Sequence, residues 1–204
     1  LLQWLGGIGI IVMAIAVLPI LRVGGMQLFR VEAFETQEKA LPRAGEIAAW
    51  IAAIYIILTG IWWVGLWMLG MGGFDSAVHA MTTIATGGYS SRDASIGYYN
   101  SHSIEIFITA GMLMGALPFF LYLRLVTEGS GALFRDSQVR WFLIIAAGSA
   151  AAVAAWLWLS EGSSIPDALV KGSFNTVSII TGTGYTSADY QHWGAFPIVV
   201  LFFL

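Results

Sequence analysis

The stretch "IITGTGYTSADYQHW" (Ile179–Trp193) decides how the chain is read. It lies between two apolar runs, and within it Gly182 and Gly184 bracket Thr183 just ahead of Tyr185. Glycine reaches positive φ without steric cost, so one such segment reads as a turn. A second copy stands 96 residues upstream. There "ATGGYSSRD" (Ala85–Asp93) aligns without gaps on "TGTGYTSAD" (Thr181–Asp189). Gly88 meets Gly184, Tyr89 meets Tyr185, Ser90 meets Thr186, Ser91 meets Ser187 and Asp93 meets Asp189. Upstream, Thr82 meets Ser178 and Ile84 meets Ile180. Two copies in register are a repeat, which a pair of turns does not explain.

Composition fixes the surroundings of that repeat. Of 204 residues, 58% are hydrophobic and 10% charged, with a mean hydropathy of +0.79. Soluble domains carry about 25% charged residues, so this chain cannot cover a water-facing surface and is read as an integral membrane protein. The net charge of −3 and the lack of a basic run exclude nucleic acid as a partner. Without cysteine there are no disulfides and no thiolate metal sites. The chain opens on an apolar run with no basic segment before it and stops inside "FPIVVLFFL", so it is expected to be cut from a longer, multi-pass protein.

A membrane-crossing helix needs about 20 mostly apolar residues. Runs of that kind fall at 1–21, 47–70, 104–126 and 139–160, and a half-length run at 193–204. The connections 22–46 and 127–138, with their flanking residues, hold Arg22, Arg30, Lys39, Arg43, Arg124, Arg135 and Arg140, seven of the nine basic residues. The other two connections hold only Arg92 and Lys171. The positive-inside bias makes the first pair cytoplasmic linkers and the second pair outer.

The outer connections contain "FDSAVHAMTTIA" (74–85) and "IPDALVKGSFNTVSII" (165–180), too short to cross and too apolar for an exposed strap. Apolar runs of about 10–14 residues read as re-entrant segments. Asp75 is expected as the N-cap of the first, and Ser164 ahead of Pro166 as that of the second. The fold class is therefore all-α integral membrane, with repeated units of span, re-entrant pore helix and span. Non-helical backbone at membrane depth is tolerated where it is buried in protein or lines a wet cavity. A row of carbonyls facing a dehydrated cation meets that condition, and the C-terminal end of the preceding helix favours positive charge there.

"TIATGGYSSRDAS" and "IITGTGYTSADY" resemble selectivity-filter segments of the Trk/Ktr/HKT potassium transporter superfamily, and "QWLGGIGIIVMAIAVLP" (Gln3–Pro19) is similar to the pore-lining helix that closes the first repeat of bacterial Trk proteins. The resemblance covers nearly the whole chain. It implies that 1–21 closes repeat one, that 47–126 is repeat two, and that 139–204 is repeat three, incomplete. It also implies filter carbonyls on Thr86, Gly87, Gly88 and Tyr89, and on Gly182, Thr183, Gly184 and Tyr185, with potassium as the transported ion and no cofactor. Further implications are a bacterial cytoplasmic (inner) membrane location, a homodimer, and a cytoplasmic nucleotide-binding regulatory subunit. Against the TVGYG filter of potassium channels, Ser90 and Thr186 replace the glycine after tyrosine. A sodium-permeable member of the superfamily and a structural membrane subunit without its own conduction are the alternatives.

Other residues have plainer readings. Asp93 and Asp189 follow the filters at matching positions, either drawing cations to the outer mouth or capping loops. Arg92 beside Asp93 would blunt that field, and Glu105 at the outer end of its span is expected to be solvated. Gly6, Gly7 and Gly9 lack the G-x-G-x-x-G spacing and suit close helix packing, as do Gly111 and Gly115. Pro118 is expected to kink the helix that carries them. The tryptophans are read as interfacial belts. His79, His102 and His192 form no H-E-x-x-H pair and no G-x-S-x-G elbow occurs, so enzyme chemistry is not expected.

Overall fold

The structure is a computed structural model that describes residues 1–21, 44–128, 135–160 and 162–204. Most of the expected linker 22–46 and half of 127–138 lie outside the described residues. All regular structure among the described residues is helical. In chain order the helices are α1 (Leu2–Leu21), α2 (Ala44–Met68), α3 (Gly73–Ile84), α4 (His102–Ala116), α5 (Phe119–Glu128), α6 (Ser137–Ser160), α7 (Ile165–Ile180) and α8 (Ala195–Phe202). Short 3₁₀ turns, Ser95–Tyr99 and Tyr190–His192, precede α4 and α8. Among the described residues α2 and α6 are each long and apolar enough to cross a membrane, and α4 with α5 makes a third, broken, candidate.

The helix starts follow from local chemistry. Ser164 caps α7 by accepting from the Asp167 N–H at 3.3 Å, with Pro166 in the first turn where no N–H is needed. Asp136 caps α6, accepting from the Gln138 and Val139 N–H groups at 2.8 and 3.2 Å. The expectation for α3 is corrected. Its cap is Gly72, without side-chain help, and Asp75 sits inside the first turn, which frees its carboxylate for other partners.

Small residues set the closest contacts. A Cβ on Gly172 of α7 would lie 3.1 Å from the Cα of Ala154 on α6. A Cβ on Gly115 of α4 would lie 2.7 Å from the Ile84 carbonyl oxygen, so α4 lets the C-terminal end of α3 rest on its backbone. Gly111 and Gly115 thus serve packing, Gly115 against the short helix α3 and Gly111 against both Trp62 of α2 and Thr83 of α3. Trp62 stacks on Phe107 at 5.1 Å and donates its indole N–H to the Phe107 carbonyl at 2.9 Å. Trp62 is therefore core; Trp63, Trp67 and Trp158 are exposed, as a belt requires.

The span read over 104–126 is not one helix. α4 and α5 meet at 90° around Leu117–Pro118, a sharper break than the kink expected. Pro118 has no N–H to give to the Met114 carbonyl one turn back. The Tyr122 phenol donates to that carbonyl at 2.6 Å, with the Leu117 N–H also reaching it at 3.3 Å. α5 turns back across α2, where Phe119 packs edge-on to Tyr55 at 5.3 Å.

The candidate functional site: two Gly-Tyr segments side by side

Each short helix ends in the same hydrogen-bonding step. The Thr86 N–H donates to the Thr83 carbonyl at 3.0 Å, and the Gly182 N–H donates to the Ile179 carbonyl at 2.9 Å. The chain then leaves the helix with alternating sign of φ. Positive values fall at Thr86 (47°) and Gly88 (68°) in one copy and at Gly182 (71°) and Gly184 (84°) in the other. Successive carbonyls of an extended chain point to opposite sides; reversing handedness at every second residue brings them toward one side. Glycine does this freely. Thr86 is β-branched and does it at a strain of about 1–2 kcal/mol, a cost found mostly at functional sites.

The two segments are neighbours. A Cβ on Gly88 would strike the Thr183 carbonyl oxygen, so only glycine allows the approach. Among the described residues the carbonyls of Thr86, Gly88, Gly182, Thr183 and Gly184 accept no hydrogen bond. The other three are engaged. Tyr89 O accepts from the Thr82 hydroxyl at 2.9 Å and Tyr185 O from the Ser178 hydroxyl at 2.7 Å, the aligned pair noted in the sequence. Gly87 O accepts from the Gln3 side-chain amide at 2.8 Å, which brings the start of α1 to the same place.

The tyrosine side chains differ sharply. Tyr185 is 1% exposed, and its phenol reaches across to α3, donating to the Thr82 hydroxyl at 2.5 Å with the His79 carbonyl 3.3 Å away. Tyr89 is 60% exposed, with no comparable partner among the described residues.

Behind the first segment lies a polar cluster. The His79 Nδ1–H donates to the Asp75 carbonyl at 2.7 Å, since a carbonyl can only accept. Its Nε2 is then an acceptor for the Ser90 hydroxyl at 2.9 Å, and Ser90 Oγ accepts the Arg92 N–H at 3.1 Å. The Asp75 carboxylate accepts from Ser91 at 2.7 Å and from the Arg92 guanidinium at 2.6 Å. The Ser91 and Arg92 hydrogen bonds hold its pKa below the usual value. Arg92 also lies over the Tyr98 ring at 4.5 Å. Its guanidinium is paired with Asp75 on α3. Behind the second segment, Asn175 replaces His79; its amide donates to Ser187 Oγ at 3.0 Å and accepts the Ser187 N–H at 3.3 Å.

The outer acidic residues part company. Asp93 is exposed without a partner among the described residues. Asp189 caps the turn after it, accepting from the Gln191 N–H at 3.1 Å and pairing with His192 at 2.9 Å. Asp189 borders an open cavity of about 440 Å³ between Ala94, Gly97 and the turn at 186–191. The post-segment turns are stitched there by Gly97 N–H to Thr186 O at 3.1 Å. Glu105 overturns its expectation: it is 1% exposed, not solvated. Sequence reasoning also passed over His79, Asn175 and Gln3. The alignment of His79 on Asn175 held the signal for two of them; nothing local marked Gln3.

These features define an all-helical integral membrane protein built on a repeated span, short helix and Gly-Tyr segment. The chain belongs to the TrkH family of cation transport proteins, whose family model matches residues 1–204. That is a family of transporters, not enzymes. The chain is 43% identical to the Trk system potassium uptake protein TrkI of Halomonas elongata, over 100% of this chain and 42% of that protein. It is 37% identical to TrkH of Escherichia coli K12, over 98% of this chain and 43% of that protein. The crystal structure of the potassium transporter TrkH from Vibrio parahaemolyticus superposes with a TM-score of 0.84 at 34% identity, over 99% of this chain and 41% of that one. The chain thus spans less than half the length of these relatives.

Proposed function

We propose that this chain forms part of a potassium uptake pathway across the bacterial cytoplasmic membrane, with the two Gly-Tyr segments contributing to a backbone-carbonyl selectivity filter. The observation that carries the reading is the alternation of φ at Thr86, Gly88, Gly182 and Gly184 beside five carbonyls that accept no hydrogen bond from the described residues. Unpaired peptide oxygens at membrane depth are costly unless an ion or water completes them. Potassium as the ion is supported by relatives named as potassium uptake proteins. Tyr89 and Tyr185 mark the outer limit of the row, because their carbonyls are held from behind by Thr82 and Ser178. Asp93, unpaired and exposed, is the better candidate for an attractive outer mouth; Asp189 acts mainly as a cap.

Sodium permeation is the second reading, favoured by Ser90 and Thr186 in place of a glycine after each tyrosine. A homodimer gated by a cytoplasmic nucleotide-binding subunit completes the proposal. In the full-length protein, expressed in cells deficient in potassium uptake, Gly184→Val is expected to abolish or degrade potassium influx and its preference over sodium. Unchanged flux and preference at normal abundance in the membrane would overturn the filter assignment.

A further inference from the structure

From Tyr185 onward the backbone of the third repeat is bound on both edges over two consecutive peptides. In the Tyr185–Thr186 peptide the carbonyl accepts from the Ser178 hydroxyl at 2.7 Å, and the N–H donates to Ser95 Oγ at 3.3 Å. In the Thr186–Ser187 peptide the carbonyl accepts from the Gly97 N–H at 3.1 Å, and the N–H donates to Asn175 Oδ1 at 3.3 Å. Ser178 and Asn175 belong to α7, the repeat's own short helix. Ser95 and Gly97 belong to the 3₁₀ turn that follows the second repeat's segment. The peptide is a rigid plane, so one held at a single edge still tilts about the flanking φ and ψ, and one held at both does not.

The turn itself carries strain and close contact where it meets Thr186. Ser95 stands at φ 51°, a left-handed conformation that is unfavourable for any residue with a Cβ. Glycine would relieve that strain; what serine adds is the oxygen that receives the Thr186 N–H. Ile96, between the two clamping residues, is fully buried and fixes the turn in the core. A Cβ on Gly97 would lie 2.9 Å from the Ser187 carbonyl oxygen, so glycine lets the two backbones close. The second repeat is held differently. Its Tyr89 carbonyl accepts from Thr82, but the N–H of Ser90, the equivalent of Thr186, has no acceptor among the described residues.

We propose that the Ser95–Gly97 turn is a cross-repeat clamp on the third repeat's Gly-Tyr segment, with Ser95 a positioning residue that sets the plane of the peptide carrying the Tyr185 carbonyl. Its bearing on ion preference rests on the transport reading above; its hold on the backbone does not. Two substitutions in the full-length protein pull stability and positioning in opposite directions. Ser95→Gly removes the acceptor and the strain together, so thermal unfolding in detergent is expected no earlier than in the unmodified protein. Amide hydrogen exchange at Thr186 is nevertheless expected to quicken about fivefold, the scale of one lost hydrogen bond. The ratio of potassium to sodium influx, measured in cells deficient in potassium uptake, is expected to fall by about the same factor. Ser95→Thr keeps the hydroxyl and adds a branch that positive φ accommodates poorly. Earlier unfolding is expected there, with Thr186 exchange and the ion ratio close to those of the unmodified protein. Gly97→Ala leaves Ser95 in place but forces the turn away from Ser187; it is also expected to quicken exchange at Thr186, and it decides the matter if Ser95→Gly does not reach the membrane. Unchanged Thr186 exchange in the glycine and alanine variants overturns the clamp whether or not the protein transports. Quickened exchange with an unaltered ion ratio in a transporting protein overturns its bearing on selectivity. An ion ratio that follows unfolding temperature across the variants overturns the positioning role in favour of a purely structural one.

Discussion

The phenol of Tyr185 is hydrogen-bonded to the hydroxyl of Thr82, although the two residues belong to different repeats. Thr82 is bound from both sides, since its hydroxyl also lies 2.9 Å from the carbonyl of Tyr89, the residue equivalent to Tyr185 in its own repeat. One threonine thus ties the end of its own Gly-Tyr segment to the tyrosine of the next. Tyr185→Phe is expected to lower stability by about 1 kcal/mol, the net worth of a buried hydrogen bond. Tyr89→Phe is expected to change it by a few tenths at most. Thermal unfolding of the purified protein in detergent compares the two, and equal effects would contradict the asymmetry.

Gly88 and Gly184 occupy equivalent positions but tolerate side chains differently. A Cβ on Gly184 meets nothing within 4 Å and suffers only from its positive φ, whereas a Cβ on Gly88 also collides with the Thr183 carbonyl. Gly184→Ala should cost about 1–2 kcal/mol from backbone strain alone. Gly88→Ala should cost more and lower the amount of folded protein recovered from membranes.

Thr86 is the strained member of the alternation, with φ at 47°, where its equivalent is already glycine. Thr86→Gly is expected to raise stability by about 1 kcal/mol as that strain is released. A lower unfolding temperature would show instead that the threonine side chain holds the segment.

His79 gives the fold a pH dependence of definite sign. Burial pushes its imidazole pKa below the ordinary 6.5. The contribution is present above pH 6.5 and is lost as pH falls from there through the depressed value of the folded state. Stability measured between pH 8 and 5 should therefore decline on the acid side. In His79→Asn, which installs the residue the third repeat uses, that decline should flatten. Asp75 adds nothing in this range; its pKa lies below 3.8, so its share is lost only at stronger acid.

Arg92→Ala breaks the pair with Asp75 and the contact with Tyr98. The guanidinium is 39% exposed, so solvent screens the pair and only a small loss of stability is expected. A larger effect on sodium over potassium influx than on stability would point to the Asp75 carboxylate, once released, acting on ions.

The long apolar helices α2 and α6 and the short helices α3 and α7 were legible because apolar run length is a local property. The Ser164–Pro166 start of α7 was readable for the same reason. The repeat was legible because Gly88, Tyr89 and Ser91 recur in register at Gly184, Tyr185 and Ser187. What was hidden depends on tertiary contact. Asp75 looked like a cap because caps are local, yet its partners Ser91 and Arg92 lie beyond the turn. Glu105 looked solvated because it starts a helix, and only the packing of α4 on α7 buries it. The right angle at Pro118 exceeds what proline alone dictates; α5 finds its place on Tyr55, far back in the chain. Gln3 could not have been connected to Gly87 from sequence, since no pattern links an amide to a carbonyl 84 residues away.

The reach of Tyr185 into α3 also has a direction in time. Residues 79–83, which receive the phenol, are synthesised well before residue 185, and domains of a nascent chain settle N-terminal part first. The receiving helix therefore emerges from the ribosome ahead of the tyrosine that fills it, and the order of translation is already the order in which the two repeats can be joined.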